Sequence, residues 1–182
     1  MTFEKTVTLK DGRNCLLRNG VTSDGKAVLD VFNRTHEETN YLLTYSDENC
    51  FTASQEADFL QRKTDSTNTV EIIAIVDGVV AGTAGIDALG MRDKIKHRAV
   101  FGIAITKEFW GLGIGKYLME ACIECAREAG YLQLELEVVA ENERAVEMYK
   151  RAGFIEYGRN PKAFRLRTGE YQELIDMRLE LK

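Results

Sequence analysis

Three glycines at alternate positions, Gly111, Gly113 and Gly115, precede Lys116 and a long amphipathic run. Glycine has no Cβ to restrict φ or block approach, so such a loop can turn several backbone N–H groups toward one concavity. A helix starting directly after it adds unpaired N–H groups and the positive end of its dipole. Together these favour a phosphate or pyrophosphate, with Lys116 adding a mobile positive charge. The competing reading is a tight turn into a packed helix. A P-loop would need glycine five positions before the Gly-Lys pair and Ser or Thr after it, but Trp110 and Tyr117 stand there. A dinucleotide fingerprint would need a third glycine where Lys116 stands, although Glu135 lies about twenty residues on, where a ribose-binding acid belongs. The first motif fails twice, and the second remains the rival on the loop alone.

Cys122-Ile-Glu-Cys125 is a second candidate for chemistry. A redox pair of this spacing belongs at a helix N-terminus, where the dipole lowers a thiol pKa, and this one lies well inside a helical run. Zinc would need a second ligand pair, and Cys15, Cys50, His36 and His97 are isolated in the sequence. The four cysteines therefore read as reduced thiols with the helical pair packed inside, and no metal site is expected.

The elements that must position the loop follow from periodicity. Arg98 to Ile105 is a β-branched, apolar strand, and Ile114, Leu118, Ala121, Cys122 and Cys125 form the stripe of a helix that Gly130 stops. Leu132 to Val139 is the next strand, so a right-handed crossover and a parallel pair are expected. Upstream, Val70 to Ile75 and Val79 to Ile86 flank the hairpin signal Asp77-Gly78, and Met91 to Lys96 is a charged loop. Further upstream, Asn14 to Arg18 reads as a first strand. Asp24 to Glu38 reads as a helix capped by Asp24 or Ser23, and a second helix begins at Ser54 without a full capping box. His36 to Tyr41 reads as a solvated connection or as a wall over a small acceptor. Asn142 to Ala152 is a short helix with Asn142 as its N-cap, stopped by Gly153. The tail holds segments Phe154 to Tyr157 and Phe164 to Leu166, a Thr168-Gly169 turn and a last alternating strand. The fold class is α/β (α+β by some schemes), a mixed, largely antiparallel sheet with helices on both faces.

A chain of 182 residues fits one domain of roughly 100–200 residues, and its apolar share of 45% with one proline argues against long linkers or disorder. The expectation is a single domain over 1–182. A net charge of −5 gives no support to nucleic-acid or general membrane-surface binding and is compatible with a cationic substrate. No apolar run reaches membrane length and the N-terminus does not read as a signal peptide, so the expected location is cytoplasmic.

Ile103-Ala-Ile-Thr-Lys-Glu-Phe-Trp-Gly-Leu-Gly-Ile-Gly-Lys-Tyr-Leu-Met119, followed by Asn142-Glu-Arg-Ala-Val-Glu-Met-Tyr-Lys-Arg-Ala-Gly-Phe154, resembles the GNAT N-acetyltransferases. The first segment is similar to their acyl-coenzyme A motif, Arg/Gln-x-x-Gly-x-Gly/Ala. The second is similar to their Asn-x-x-Ala-x-x-x-Tyr-x-x-x-Gly-Phe segment. The likeness covers Val70 to Tyr157 closely and the helical N-terminal part in outline. The C-terminal Arg165-x-Arg-x-Gly-Glu-Tyr resembles branches that acetylate free amino acids or protein N-termini. Two positions depart from the pattern: Trp110 replaces the usual Arg or Gln, and Val100 stands where many members carry a glutamate base.

The resemblance implies acetyl transfer from the cosubstrate acetyl-coenzyme A to a primary amine of a small molecule or peptide, by direct attack, and it allows a homodimer. The implied cofactor-binding residues are Ile103, Ala104, Ile105, Gly111, Leu112, Gly113, Ile114, Gly115, Lys116, Asn142 and Tyr149. The backbone N–H of Ile103 would polarise the thioester carbonyl, and Tyr149 would be the general acid for the departing thiolate. With Val100 apolar, Glu38, Asp87 and Glu137 are the candidate bases. The alternatives are a non-catalytic acyl-coenzyme A-binding or regulatory module, suggested by the missing glutamate, and the dinucleotide-dependent oxidoreductase.

Overall fold

The computed structural model describes residues 1–181. Eight strands form one sheet in the order β1-β2-β3-β4-β5-β6-β8-β7. They are β1 (Glu4–Thr8), β2 (Asn14–Asn19), β3 (Val70–Val76), β4 (Val79–Ala88), β5 (Arg98–Ile105), β6 (Gln133–Val139), β7 (Ile155–Arg165) and β8 (Tyr171–Glu180). The helices are α1 (Gly25–Glu38), α2 (Ala53–Asp65), α3 (Ile114–Glu128) and α4 (Glu143–Arg151). Every neighbouring pair is antiparallel except β5 and β6, the pair joined by the α3 crossover. The expected mixed sheet with helices on both faces is the observed one.

Alternation on β3 divides the molecule. Ile73 and Ile75 face α1 and α2, where they pack with Val28, Leu60 and Phe59. Val70, Ile72 and Ala74 join the main core with Ile114, Leu118, Ala121, Cys122 and Cys125 of α3. Cys122 and Cys125 are therefore free, buried packing residues, and burial pushes both thiols up, that of Cys125 to about 11. The hairpin turn holds Asp77 at φ 51° and Gly78 at φ 80°, the paired left-handed residues that let two strands reverse in two steps.

Four readings of the chain need correction. A first strand, Glu4–Thr8, precedes the expected one; its residues are mostly exposed at the sheet edge, so no apolar alternation marks it. Asp24 occupies the N-cap of α1 but does not cap it: its carboxylate accepts from Val21 N–H at 2.9 Å and pairs with Arg18 at 2.6 Å. The second helix begins one residue earlier than Ser54 and does have a capping box. The Thr52 hydroxyl accepts from Gln55 N–H at 3.3 Å, and the Gln55 side chain accepts from Thr52 N–H at 2.8 Å. Finally, the two short tail segments are parts of one irregular strand, β7, whose register against β8 shifts twice. Among the described residues, no helix is long and apolar enough to cross a membrane.

Candidate active site

Strands β5 and β6 pair only through Arg98–Val100 and Gln133–Glu135, whereas β4 stays paired to β5 through Gly82 and Ile105. Beyond Val100 the two parallel strands diverge. Thr106 N–H donates to Ala81 O at 3.1 Å, which fixes the alternation on β5. The backbone groups of Gly102 and Ala104 therefore face β4, and those of Phe101, Ile103 and Ile105 face the gap. The Ile105 carbonyl is taken up by the indole N–H of Trp110 at 2.6 Å, a contact the sequence did not signal. Trp110 also lies between the cations of Lys107 and Arg144, 5.8 and 5.7 Å from its ring.

The glycine loop leads from this gap to α3. Gly113 stands at the N-cap of α3 with φ 97°, and Gly111 has φ 86°, so both need glycine for backbone reasons. The nearest atoms a Cβ on Gly113 would meet are 3.8 and 3.9 Å away, on Tyr117 and Lys10, so the loop lies open rather than packed shut. The loop is pinned from behind: Lys10 N–H donates to Leu112 O at 3.2 Å and Tyr117 Oη donates to Thr8 O at 3.2 Å. Leu112 turns its side chain against the core. Asn142 caps α4, accepting from Ala145 N–H at 3.3 Å, and also lines the cavity.

The gap, the loop and the two helix starts border one cavity of about 1270 Å³. It brings together Ile103, Ala104, Ile105, Gly111, Gly113, Ile114, Gly115, Lys116, Asn142 and Tyr149. Tyr149 is held between the rings of Phe101, 6.1 Å away and edge-on, and Phe154 at 5.8 Å. Burial holds its phenol well above the ordinary range, so it keeps its proton throughout neutral and alkaline pH. The bases Lys10, Arg144 and Arg151 also line the cavity. Arg144 lay within a quoted motif, while Lys10 had no local signal.

The three candidate bases separate. Glu137 lines the cavity as an exposed carboxylate. Glu38 does not line it: one oxygen accepts from Lys107 N–H at 2.6 Å and the other from Arg34 Nε at 3.1 Å, tying α1 to the turn before the glycine loop. Asp87 also lies outside, bound at 2.5 Å to the buried ammonium of Lys63. Glu135, the acid that the dinucleotide motif would require, is a buried partner of Arg98 and accepts from Gln133 at 3.1 Å. Val100 lines the cavity, so the missing glutamate leaves an apolar wall. The connection after α1 is a wall as well, since Thr39, Tyr41, Leu42 and Leu43 all border the cavity.

The cradle fits an acyl-coenzyme A: an open glycine loop at a helix start for the pyrophosphate, and a strand edge with free backbone groups for an extended amide-bearing arm. Residues 29–154 match the acetyltransferase (GNAT) family. The chain is 33% identical over 118 residues to the L-amino acid N-acetyltransferase AaaT of Escherichia coli (strain K12), covering 64% of this chain and 72% of that one. An acetyltransferase of the GNAT family from Streptococcus pneumoniae superposes with a TM-score of 0.87 at 27% identity, over 91% of this chain and 99% of that one. The fold is also that of yncA from Salmonella typhimurium, solved with its cofactor acetyl-CoA, with a TM-score of 0.82 at 17% identity over 93% and 95% of the two chains. The chain thus belongs to the acetyltransferase (GNAT) family, transferring an acetyl group from acetyl-coenzyme A to an amine.

Proposed function

We propose that residues 1–182 act as one N-acetyltransferase domain whose acceptor, a small molecule or a peptide, attacks the acetyl group directly within the cavity. The observation that carries this reading is the parting of β5 and β6 beyond Val100, with Tyr149 and the glycine loop bordering the same cavity. Acetyl-coenzyme A supplies the activated acyl group. The N–H groups from Leu112 to Lys116 hold the pyrophosphate, with Lys10, Lys116 and Arg144 adding charge. Ile103 N–H, directed into the gap, donates to the carbonyl oxygen as negative charge grows on it. Tyr149 gives its proton to the leaving thiolate; burial raises the phenol above its ordinary range and so keeps the donor loaded. Glu137, the one of the three candidate carboxylates that borders the cavity, takes the proton an ammonium must lose before attack. A net charge of −5 favours neither nucleic acid nor an anionic membrane surface as partner.

The apolar residue at position 100 motivates the other reading, a module that binds acyl-coenzyme A without turning it over. Release of coenzyme A thiol from acetyl-coenzyme A on adding a panel of amines tests between them. Amine-dependent release supports the enzyme; tight binding without release from any amine would reject it.

A further inference from the structure

The bases around the cavity are segregated, whereas carboxylates border it on both sides, Glu120 and Glu147 coming from α3 and α4. Its four lining bases, Lys10, Lys116, Arg144 and Arg151, come from the β1–β2 turn and from α3 and α4. The opposite wall is built by α1, the connection after it, Leu89 just beyond β4, and β5, β7 and β8. Among the described residues it contributes Thr39, Tyr41, Leu43, Leu89, Val100 and Phe164, and no lysine or arginine. The carboxylates of Glu135 and Glu137 border the same region.

Three further bases lie outside the cavity lining, two of them in ion pairs. Arg98 grips Glu135 through two nitrogens. Arg165 lines a small hollow on the far side of Thr39, Leu42, Leu43 and Phe164, which border both spaces, and its guanidinium lies 5.9 Å from the Tyr171 ring. Arg167 is bound to Asp47 at 2.7 Å and stacked on Tyr45. Leu43, Leu89 and Val100 are 80%, 39% and 36% exposed, an unusual amount of bare aliphatic surface to gather at a cavity mouth.

We infer that the acceptor is a primary amine on an apolar, uncharged body with no carboxylate beside the nitrogen, and that free α-amino acids are poor acceptors. This rests on the reading that acetyl-coenzyme A fills the glycine-loop end and leaves the opposite wall to the acceptor. A free amino acid would carry its carboxylate, α to the attacking nitrogen, into a wall that contributes no cation to pair it and toward the exposed carboxylate of Glu137, Glu135 being neutralised by Arg98. A buried charge without a partner is strongly disfavoured, and like charges at close range add to that. An amide or a peptide bond at the same carbon has no such charge. An ammonium is drawn to Glu137 and loses its proton there before attack, while the aliphatic body covers Leu43, Leu89 and Val100.

The test measures kcat/KM by thiol release for leucine, leucinamide, 3-methylbutylamine and a leucine-initiated tripeptide amide. The 3-methylbutylamine nitrogen is more basic than that of leucine, so any advantage it holds does not come from easier deprotonation. Leucinamide and 3-methylbutylamine are each expected to exceed leucine by roughly tenfold or more, and Glu137→Gln is expected to narrow that ratio even if it lowers all rates. The tripeptide amide separates a small amine from a peptide N-terminus as the source. Leucine matching or exceeding both carboxylate-free analogues would overturn the inference while leaving acetyl transfer intact. A ratio unmoved by Glu137→Gln would overturn the part given to that carboxylate. Tight acetyl-coenzyme A binding by calorimetry with no release from any of the four would overturn the enzymatic reading and the inference with it.

Discussion

The two ends of the cavity are built on different principles. The cofactor end is made largely of backbone: the left-handed Gly113, the N–H groups opening α3, the gap-facing edge of β5 and the cap of α4. Its parts lie in one stretch of chain from Ile103 to Tyr149. The acceptor end is made of side chains from α1, the connection after it, Leu89 just beyond β4, and β5, β7 and β8, which meet only in the folded molecule. Binding a pyrophosphate and an amide-bearing arm is a task for peptide groups and admits few solutions. Choosing an amine is a task for side chains, and many arrangements serve.

Tyr149 stands where the two ends meet, so its removal should give the largest effect. Tyr149→Phe deletes one oxygen and keeps the ring packed between Phe101 and Phe154. If the phenol protonates the thiolate, the loss falls on the transition state, and kcat should drop by about 10²–10⁴-fold. Acetyl-coenzyme A affinity and melting should change far less. A merely structural tyrosine predicts the reverse pairing, lower stability with near wild-type kcat. Both quantities should be measured on one preparation under conditions where chemistry limits the rate.

Gly113→Val attacks the cofactor end alone. A φ of 97° is a region where a β-branched residue is strained, so the loop must shift away from the N–H arrangement it presents. Coenzyme A affinity should fall by roughly 5- to 30-fold, since strain of about 1–2 kcal/mol falls on the binding geometry. Calorimetry on the folded variant checks this, and unchanged affinity would mean the loop is only a turn.

The same contrast explains what the sequence made legible. The glycine spacing, the α3 stripe and Asn142 with Tyr149 at helical intervals are local patterns; the glycines, Asn142 and Tyr149 border the cavity, and the stripe packs into the core. The parting of β5 and β6 is not legible in the residues themselves, because strand divergence leaves no periodic trace. Glu38 and Asp87 read as free carboxylates because their partners, Lys107 and Lys63, lie 69 and 24 residues away. Lys10 and Trp110 gained their contacts through tertiary packing, and Glu4–Thr8 was hidden by its own exposure.

A third test concerns the acceptor-side face of the sheet, where α2 covers Glu71. Burial pushes this carboxyl up to about 7, against the opposing pull of Lys63 4.0 Å away and a hydrogen bond from Thr83. Asp87 and Glu56 push in the same direction as burial. A folded-state pKa raised above the unfolded value contributes stability fully present below pH ~4.5 and lost as pH rises through about 7. Glu71→Gln imitates the protonated form. It should therefore flatten the fall in stability across that window and exceed wild type at pH 8, by on the order of 2 kcal/mol. Thermal melts at pH 4.5, 6 and 8 decide it, and parallel pH curves for the two proteins would refute it.

The smallest effect should come from Arg167→Ala at the tip of the β7–β8 hairpin. Arg167 N–H donates to Tyr45 Oη at 3.0 Å, its guanidinium lies 4.1 Å from the Tyr45 ring, and it bonds Asp47 at 2.7 Å. These contacts tie the hairpin to the connection that carries Leu42 and Leu43 into the cavity wall. The ion pair is exposed at both ends, so global stability should hardly move. What the change removes is prior ordering of the acceptor wall. The cost of fixing that segment then falls on acceptor binding, and ordering one or two side chains corresponds to roughly a 2- to 10-fold rise in acceptor KM. Coenzyme A affinity should stay the same, because the glycine loop and α3 make none of these contacts. Arg167→Lys keeps the charge but loses the planar stacking and the second nitrogen, so it should recover only part of the KM. A shift in coenzyme A affinity as large as the shift in KM would mean that the two ends are coupled, and that the division between backbone-built and side-chain-built halves does not hold.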